Sequence, residues 1–257
     1  MRPASPAGNV VGHTDTVIDL HCHILPGVDD GPADVAHSIE MARQADADGI
    51  HTICATPHIR HDHDVRIEEL PQRMGVLNDA IADAGLSVRV LGGGEVAETI
   101  VTHLTDRELT AVSLGGGGRW ILLEPKPGPL SDTLVQAVGT LADRGFRSLI
   151  AHPERHLSAD LFDRLEQLVA AGALVQATAA TMSDPPADRG MRLLASRGLI
   201  HVLSSDAHHP RIGREVAIAQ GLRVLSRIDP VAQFLPWVRD IAPAAMINGQ
   251  ELTVPFP

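Results

Sequence analysis

The sequence contains no tyrosine, and aromatic residues make up only 2% of its 257 residues. A chain of this length can bury a large core, so that core must be built from alanine, valine, leucine and isoleucine. Basic residues are also in deficit, because 21 lysines and arginines face 32 aspartates and glutamates, and the formal net charge is −11. Nucleic acids and acidic membranes attract basic proteins, so this charge argues against a protein that binds either.

Cysteine and long apolar runs are scarce as well. The only cysteines, Cys22 and Cys54, lie in strand-like runs, which argues against a disulfide framework and favours a reducing, cytoplasmic location. No apolar run reaches the length of a transmembrane helix, so we expect no membrane insertion. Residues 1–15 are rich in proline, glycine and alanine and lack the apolar region of a secretory signal. They predict a flexible leader before a single domain at residues 16–257.

Short apolar runs alternate with longer helix-like stretches, several of which end in glycine just before the next strand, as at a helix carboxyl cap. The strand candidates are TVIDLH, IHTICATP, SVRVLGG, RWILLEP, RSLIAHP, ALVQATA and IHVLSSD. This alternation predicts one α/β domain with parallel strands, most simply a barrel of the TIM type. An open doubly wound sheet is the alternative, but no nucleotide-binding glycine fingerprint follows the first strand.

Histidines and carboxylates stand at the ends of nearly all these strands. Because side chains alternate along a strand, His21 and His23 share one face and place two imidazoles side by side. Equivalent candidates in the later segments are His58, Glu95, Glu124, His152, Asp206 and His208, with Asp30 in the first loop. The carboxyl ends of parallel strands meet at one mouth of a barrel, so the pattern predicts a metal centre. Nitrogen and oxygen ligands suit Mn²⁺, Fe²⁺ or Zn²⁺, and three cations are feasible.

The stretches DLHCHILPGVDDG, ATPH, GGGEV, LLEP, AHPERH and SSDAHH resemble motifs of the PHP (polymerase and histidinol phosphatase) superfamily. More narrowly, they resemble the bacterial metal-dependent protein-tyrosine phosphatases associated with polysaccharide synthesis. The resemblance implies a distorted TIM-like (β/α)7 barrel of PHP type with three divalent cations, Mn²⁺ being favoured over Fe²⁺ or Zn²⁺. The implied ligands are His21, His23, Glu95 and Asp206 for the first cation, Glu95, Glu124 and His152 for the second, and Asp30, His58 and His208 for the third. Spacing alone does not separate Asp30 from Asp29, whereas the family pattern places the ligand just before Gly31.

The resemblance also implies the chemistry. Arg155 and Arg211 would bind the phosphate, with Arg214 as the rival of Arg211, while a metal-activated hydroxide attacks phosphorus. The implied partner is a phosphotyrosine-containing protein, a bacterial tyrosine kinase of capsule or exopolysaccharide regulation. The sequence departs from the family pattern at Thr178, where an asparagine is usual, and after Glu124, where no aromatic residue follows.

These departures leave the substrate open. A phosphatase of histidinol phosphate or another small metabolite is the main alternative, and a metal-bound scaffold without catalysis is another. An amidohydrolase-type centre would need a carbamylated lysine, for which Lys126, between two prolines, is the only candidate. The sequence gives no indication of the oligomeric state.

Overall fold

Nine short strands, all paired in parallel, form the centre of the computed structural model, which describes residues 17–183 and 188–255. The predicted leader at residues 1–15 lies outside this part of the chain. The strands are β1 (Val17–Cys22), β2 (Ile50–Ala55), β3 (His58–Ile59), β4 (Arg89–Leu91), β5 (Glu95–Ala97), β6 (Trp120–Glu124), β7 (Arg147–Ile150), β8 (Leu174–Thr178) and β9 (Val202–Ser204). One sheet has the order β1-β2-β4 and the other the order β3-β5-β6-β7-β8-β9.

Two of the predicted strands, which correspond to β2 and β4, are each followed after a short break by a further strand that lies in the second sheet. The break between β2 and β3 contains Pro57, which has no N–H to donate to a ladder. The break between β4 and β5 contains three glycines, and a Cβ atom on Gly94 would lie 2.8 Å from Cγ1 of Ile59. Only a glycine lets the chain pass so close to its neighbour. At each break the chain leaves the sheet of β2 and β4, and β3 and β5 pair in the second sheet.

The parallel α/β prediction is confirmed, and the sheets curl around a shared centre. An isolated bridge joins Cys22 to Ala207, and the backbone N–H of His23 donates to the Ala207 carbonyl at 2.9 Å. The end of β1 therefore lies against the segment that follows β9. A closed ring of seven βα units remains a prediction, because the described strands form two hydrogen-bonded sheets.

Several of the helices pack against strands through their apolar faces. They are α1 (Val35–Asp48), α2 (Leu70–Asp83), α3 (Asp106–Ala111), α4 (Asp132–Asp143), α5 (Leu161–Ala170), α6 (Asp188–Ser196), α7 (Ala219–Leu225) and α8 (Ala242–Ile247). In α5, Leu161, Leu165 and Leu168 are buried at the spacing of one helix face. Within the described residues, no helix is both long enough and apolar enough to cross a membrane.

The core consists largely of aliphatic side chains, as the scarcity of aromatic residues predicts, and Trp120, Phe146 and Trp237 are exceptions. Several ionisable side chains are buried as deeply as these apolar ones, including His21, Glu95 and Asp206. An isolated charge is costly to bury, so these groups must stabilise one another or bind a counter-ion.

Candidate metal centre

The structure brings together all nine predicted ligands, most of them at or just after the carboxyl end of a strand, whereas His58 and Glu95 begin the short strands β3 and β5. Their ligand atoms form four overlapping groups, within each of which they lie within 4.8 Å of one another. The groups are His23, Asp30, His58 and His208; His21, His23 and Glu95; His21, His152 and Asp206; and His58, Glu95 and Glu124. Because several residues belong to two groups, the cluster is continuous.

His21 and His23 face each other across the cluster with their Nε2 atoms 3.2 Å apart. Nδ1 of His21 lies 3.1 Å from Oε1 of Gln176, and Nδ1 of His23 lies 2.7 Å from Oδ2 of Asp29. If both Nδ1 atoms donate, each neutral ring turns an Nε2 lone pair toward the other. Two facing lone pairs need a proton or a cation between them, so this geometry fits a metal ion.

Glu95 is the buried carboxylate at the centre of the cluster. Its Oε1 is 2.8 Å from Nε2 of His152, and its Oε2 is 3.3 Å from Nε2 of both His21 and His23. Burial would raise the pKa of Glu95, but the surrounding imidazoles outweigh it and hold that pKa well below its usual range. Oε2 makes no hydrogen bond within the described residues, although imidazole nitrogens surround it. An ionised oxygen of this kind is a suitable cation ligand.

The imidazoles differ in protonation. Burial lowers the pKa of His23 and His58, but nearby carboxylates outweigh it and raise both values to about 9. Burial dominates at His152 and His208, where it lowers the pKa to about 3 and about 2. The cluster therefore combines neutral imidazoles with protonated ones, and a bound cation would replace the protons.

In both Glu124 and Asp206, one carboxylate oxygen is paired with arginine. Nη1 of Arg60 donates to Oε1 of Glu124 at 3.1 Å, while Arg155 and Arg214 pair with Oδ2 of Asp206, the latter at 3.1 Å. The second oxygens, Oε2 and Oδ1, are buried without a hydrogen bond to any described residue. These unsatisfied oxygens, like that of Glu95, fit divalent cations.

The predicted phosphate-binding arginines are found in different places. Arg155 contacts the cluster through Asp206. Arg211 extends along the surface, 68% exposed, and its Nη2 lies 2.9 Å from Oε2 of Glu40 on α1. Arg214 donates instead from Nε to the Asp206 carbonyl at 2.8 Å. The positions therefore favour Arg214, the rival in the sequence analysis, over Arg211.

Sequence reasoning did not predict several residues that orient the candidate ligands, including Asp29, which it considered only as a rival ligand to Asp30. Asp29 holds His23 and also accepts the N–H of His58 at 3.0 Å, while Gln176 holds His21. Asp19 accepts from the N–H and the hydroxyl of Ser205 at 3.0 and 2.5 Å, which fixes the segment just before Asp206. A role for Asp19 near the ligands could have been predicted from the sequence, because it shares a strand face with His21 and His23.

Overlapping imidazole and carboxylate groups at the ends of parallel strands, with arginines at their edge, define a class of α/β metalloprotein. The chain belongs to the capsular polysaccharide synthesis family CpsB/CapC, whose profile matches residues 17–228. It is 33% identical over 221 residues to the tyrosine-protein phosphatase YwqE of Bacillus subtilis, across 82% of this chain and 84% of that one. It is 22% identical to the tyrosine-protein phosphatase CpsB of Streptococcus pneumoniae, across 75% and 83%.

Two solved structures align with most of the chain. A crystal structure from a study of YwqE from Bacillus subtilis and CpsB from Streptococcus pneumoniae, described as metal-dependent tyrosine phosphatases, aligns with a TM-score of 0.77 at 28% identity. The alignment covers 93% of this chain and 98% of that chain. The phosphotriesterase homology protein of Escherichia coli aligns with a TM-score of 0.60 at 14% identity, over 92% of this chain and 100% of that one, which indicates a shared fold.

Proposed function

We propose that this chain is a metal-dependent protein-tyrosine phosphatase, a phosphoric monoester hydrolase that acts on phosphotyrosine. The observation that carries the proposal is the cluster of nine potential ligands, with buried oxygens that make no hydrogen bond, beside Arg155 and Arg214. The names of its relatives, tyrosine-protein phosphatases from Bacillus and Streptococcus, support the same reaction.

The proposed centre holds three divalent cations. Imidazole and carboxylate ligands suit Mn²⁺, Fe²⁺ and Zn²⁺ alike, and of these we propose Mn²⁺. The ligands would be His21, His23, Asp30, His58, Glu95, Glu124, His152, Asp206 and His208. The proximity of His152 to His21 and Asp206, and of His58 to Glu95 and Glu124, supports sharing of ligands between neighbouring cations. The distorted (β/α)7 barrel and the single domain over residues 16–257 belong to the same proposal.

When bound, the cations neutralise phosphoryl oxygens and lower the pKa of the attacking water. The chain's own side chains hold the substrate. Arg155 and Arg214 carry planar guanidinium groups that donate hydrogen bonds to phosphate oxygens. Both contact the same carboxylate, that of Asp206, so the two guanidinium groups lie next to each other beside the cluster and could bind the same phosphate.

Other residues keep the ligands aligned during turnover. Asp29 and Gln176 accept hydrogen bonds from the Nδ1 atoms of His23 and His21, which keeps both Nε2 atoms directed into the cluster. Such preorganisation matters because phosphoryl transfer depends on charge stabilisation at fixed positions.

The proposed partner is a bacterial tyrosine kinase of capsule or exopolysaccharide regulation, and the proposed location is the cytoplasm. The family assignment supports the polysaccharide context, and the free, buried thiols of Cys22 and Cys54 suit a reducing compartment. Thr178, where the family pattern has asparagine, is buried at the end of β8, and its N–H donates to Oε1 of Glu154 at 2.9 Å.

The test is reconstitution followed by a choice of substrates. Protein stripped with a chelator is loaded with Mn²⁺, Fe²⁺ or Zn²⁺, and bound metal is counted by elemental analysis. We expect about three equivalents and hydrolysis of phosphotyrosyl peptides in preference to histidinol phosphate. Turnover of histidinol phosphate alone would contradict the substrate assignment, and metal binding without hydrolysis of any aryl phosphate would favour the scaffold.

Arg214→Met and Arg211→Met test the choice of the second arginine. We expect Arg214→Met to lower kcat/KM by about 10²-fold, as loss of a charge-assisted hydrogen bond to a phosphate does. Arg211→Met removes only an exposed ion pair with Glu40 and should leave kcat/KM unchanged. The reverse result would return the role to Arg211.

A further inference from the structure

Arg60 follows β3 directly and bridges two carboxylates, one of which belongs to the candidate metal centre. Its Nε and Nη2 donate to Asp62 at 2.6 and 3.0 Å, and its Nη1 donates to Oε1 of Glu124 at 3.1 Å. The Glu124 side chain is 15% exposed, and its Oε2 is buried 3.6 Å from Nδ1 of His58. The guanidinium thus binds one oxygen of Glu124 and leaves the other directed toward the cluster.

Asp206 shows the same division of its two oxygens. Arg155 and Arg214 occupy Oδ2, whereas Oδ1 is buried 3.4 Å from Nε2 of His21 and makes no hydrogen bond to the described residues. Two carboxylates in separate segments therefore present one oxygen to the cluster and the other to arginine. The arginines at Asp206 are also the proposed phosphate ligands. Arg60 differs from them, because its Nε and Nη2 are bound to Asp62 and its Nη1 to Glu124.

We propose that Arg60 is a positioning residue that fixes Glu124 as a cation ligand, with Asp62 fixing Arg60 in turn. The inference rests on the proposed metal centre. A guanidinium is planar, so the paired bonds to Asp62 determine the direction of the remaining Nη1 donor. That donor holds the Glu124 carboxylate in one rotamer and offsets its repulsion by the nearby carboxylate of Glu95. Without Arg60, Glu124 would lose this orientation and bind its cation more weakly.

Metal titration of the apoprotein tests this role. Chelator-treated wild type, Arg60→Met, Asp62→Asn and Arg164→Met are titrated with Mn²⁺ by calorimetry, and the melting temperature of each apoprotein is measured. Arg164 is a matched control, since its side chain is 31% exposed like that of Arg60 and also bridges two carboxylates, those of Asp132 and Asp160.

We expect Arg60→Met to raise the Kd of one Mn²⁺ equivalent by about 10- to 100-fold, as loss of an outer-shell partner does. Asp62→Asn should raise the same Kd by a smaller factor, and Arg164→Met should leave it unchanged. Because Arg60 acts on the ligand, the apoprotein melting temperature should stay near that of the wild type. If Arg60→Met did not fold, Asp62→Asn alone would carry the test.

Wild-type Kd values in both Arg60→Met and Asp62→Asn would overturn the inference. Unchanged metal binding with a raised KM for 4-nitrophenyl phosphate would also overturn it, because Arg60 would then contact the substrate. Equal losses in Arg164→Met would show a general effect of charge and would count against it too. If the wild type itself bound no metal, the proposed centre would fail, which is a different outcome from selective failure at Arg60.

Discussion

His23 and His201 are both fully buried histidines of this α/β domain, but they lie at opposite ends of strands and in opposite electrostatic surroundings. His23 follows the carboxyl end of β1, where Asp29 and Glu95 outweigh the effect of burial and raise its pKa to about 9. His201 precedes β9, where burial lowers its pKa to about 3 and its Nδ1 accepts the N–H of Val175 at 3.2 Å.

The difference shows that burial alone does not identify a metal ligand. At His201, which lies beside Trp237, burial keeps the imidazole neutral, and the ring serves packing and backbone hydrogen bonding. A buried histidine with carboxylates at its ring nitrogens, like His23, lies where a cation would be stabilised. At His23 the carboxylates of Asp29 and Glu95 at its two ring nitrogens, rather than burial of the imidazole, therefore mark the candidate centre.

Removal of the central carboxylate should produce the largest effect. Glu95→Gln replaces a charge that lies within 3.3 Å of the Nε2 atoms of His21 and His23 by a neutral amide. We expect it to lower kcat/KM by more than about 10²-fold and to reduce bound metal, measured by elemental analysis. His201→Gln, a change at a buried histidine outside the cluster, should retain full metal content. Equal metal loss in both variants would remove the distinction between the two sites.

A smaller loss of metal affinity is expected on changing Asp29, which contacts the cluster only through His23. Asp29→Asn weakens the 2.7 Å contact to Nδ1 of His23, so metal affinity should fall by about 10- to 100-fold. The control is Asp34→Asn, because Asp34 makes a similar 2.8 Å contact to Nδ1 of His37 on an exposed helix end. Asparagine caps a helix about as well as aspartate, so this variant should stay close to the wild type in stability and leave Mn²⁺ affinity unchanged in calorimetry. Equal Mn²⁺ affinities in both variants would contradict the orienting role of Asp29.

The sequence was sufficient to predict the parallel α/β class and the convergence of the ligands. Both follow from local periodicity and from the rule that the carboxyl ends of parallel strands meet at one edge. The short strands β3 and β5 were not predicted, because the predicted runs end at Pro57 and the glycines, and only tertiary packing shows that pairing resumes in a second sheet.

The orienting residues were harder to predict than the ligands. Arg60 and Gln176 act on partners 64 and 155 residues away in the chain, and no spacing rule connects residues so distant. Arg211 and Arg214 lie in the same loop, and their sequence context is nearly equivalent. Only the path of that loop decides which of them reaches Asp206 and which pairs with Glu40.

The smallest expected effect is the change with pH of the stability that His201 contributes. Folded His201 has its pKa lowered to about 3, so it stays neutral while the same residue in the unfolded chain gains a proton below about pH 6.5. Its contribution is therefore complete above about pH 6.5 and is lost as the pH falls toward 3. At pH 5 the loss should be about 2 kcal/mol.

Urea unfolding of wild type and His201→Gln at pH 7 and pH 5, both in excess chelator, measures this contribution. The pH-dependent loss should be smaller in His201→Gln by about 2 kcal/mol, because that variant has no proton to gain at this position. His51→Gln, at an exposed histidine on β2, should follow the wild type. The chelator removes bound metal from all samples, and the ligand histidines contribute equally to each, so the difference isolates residue 201. An identical pH dependence in wild type and His201→Gln would mean that burial does not keep His201 neutral, and the contrast with His23 would fail.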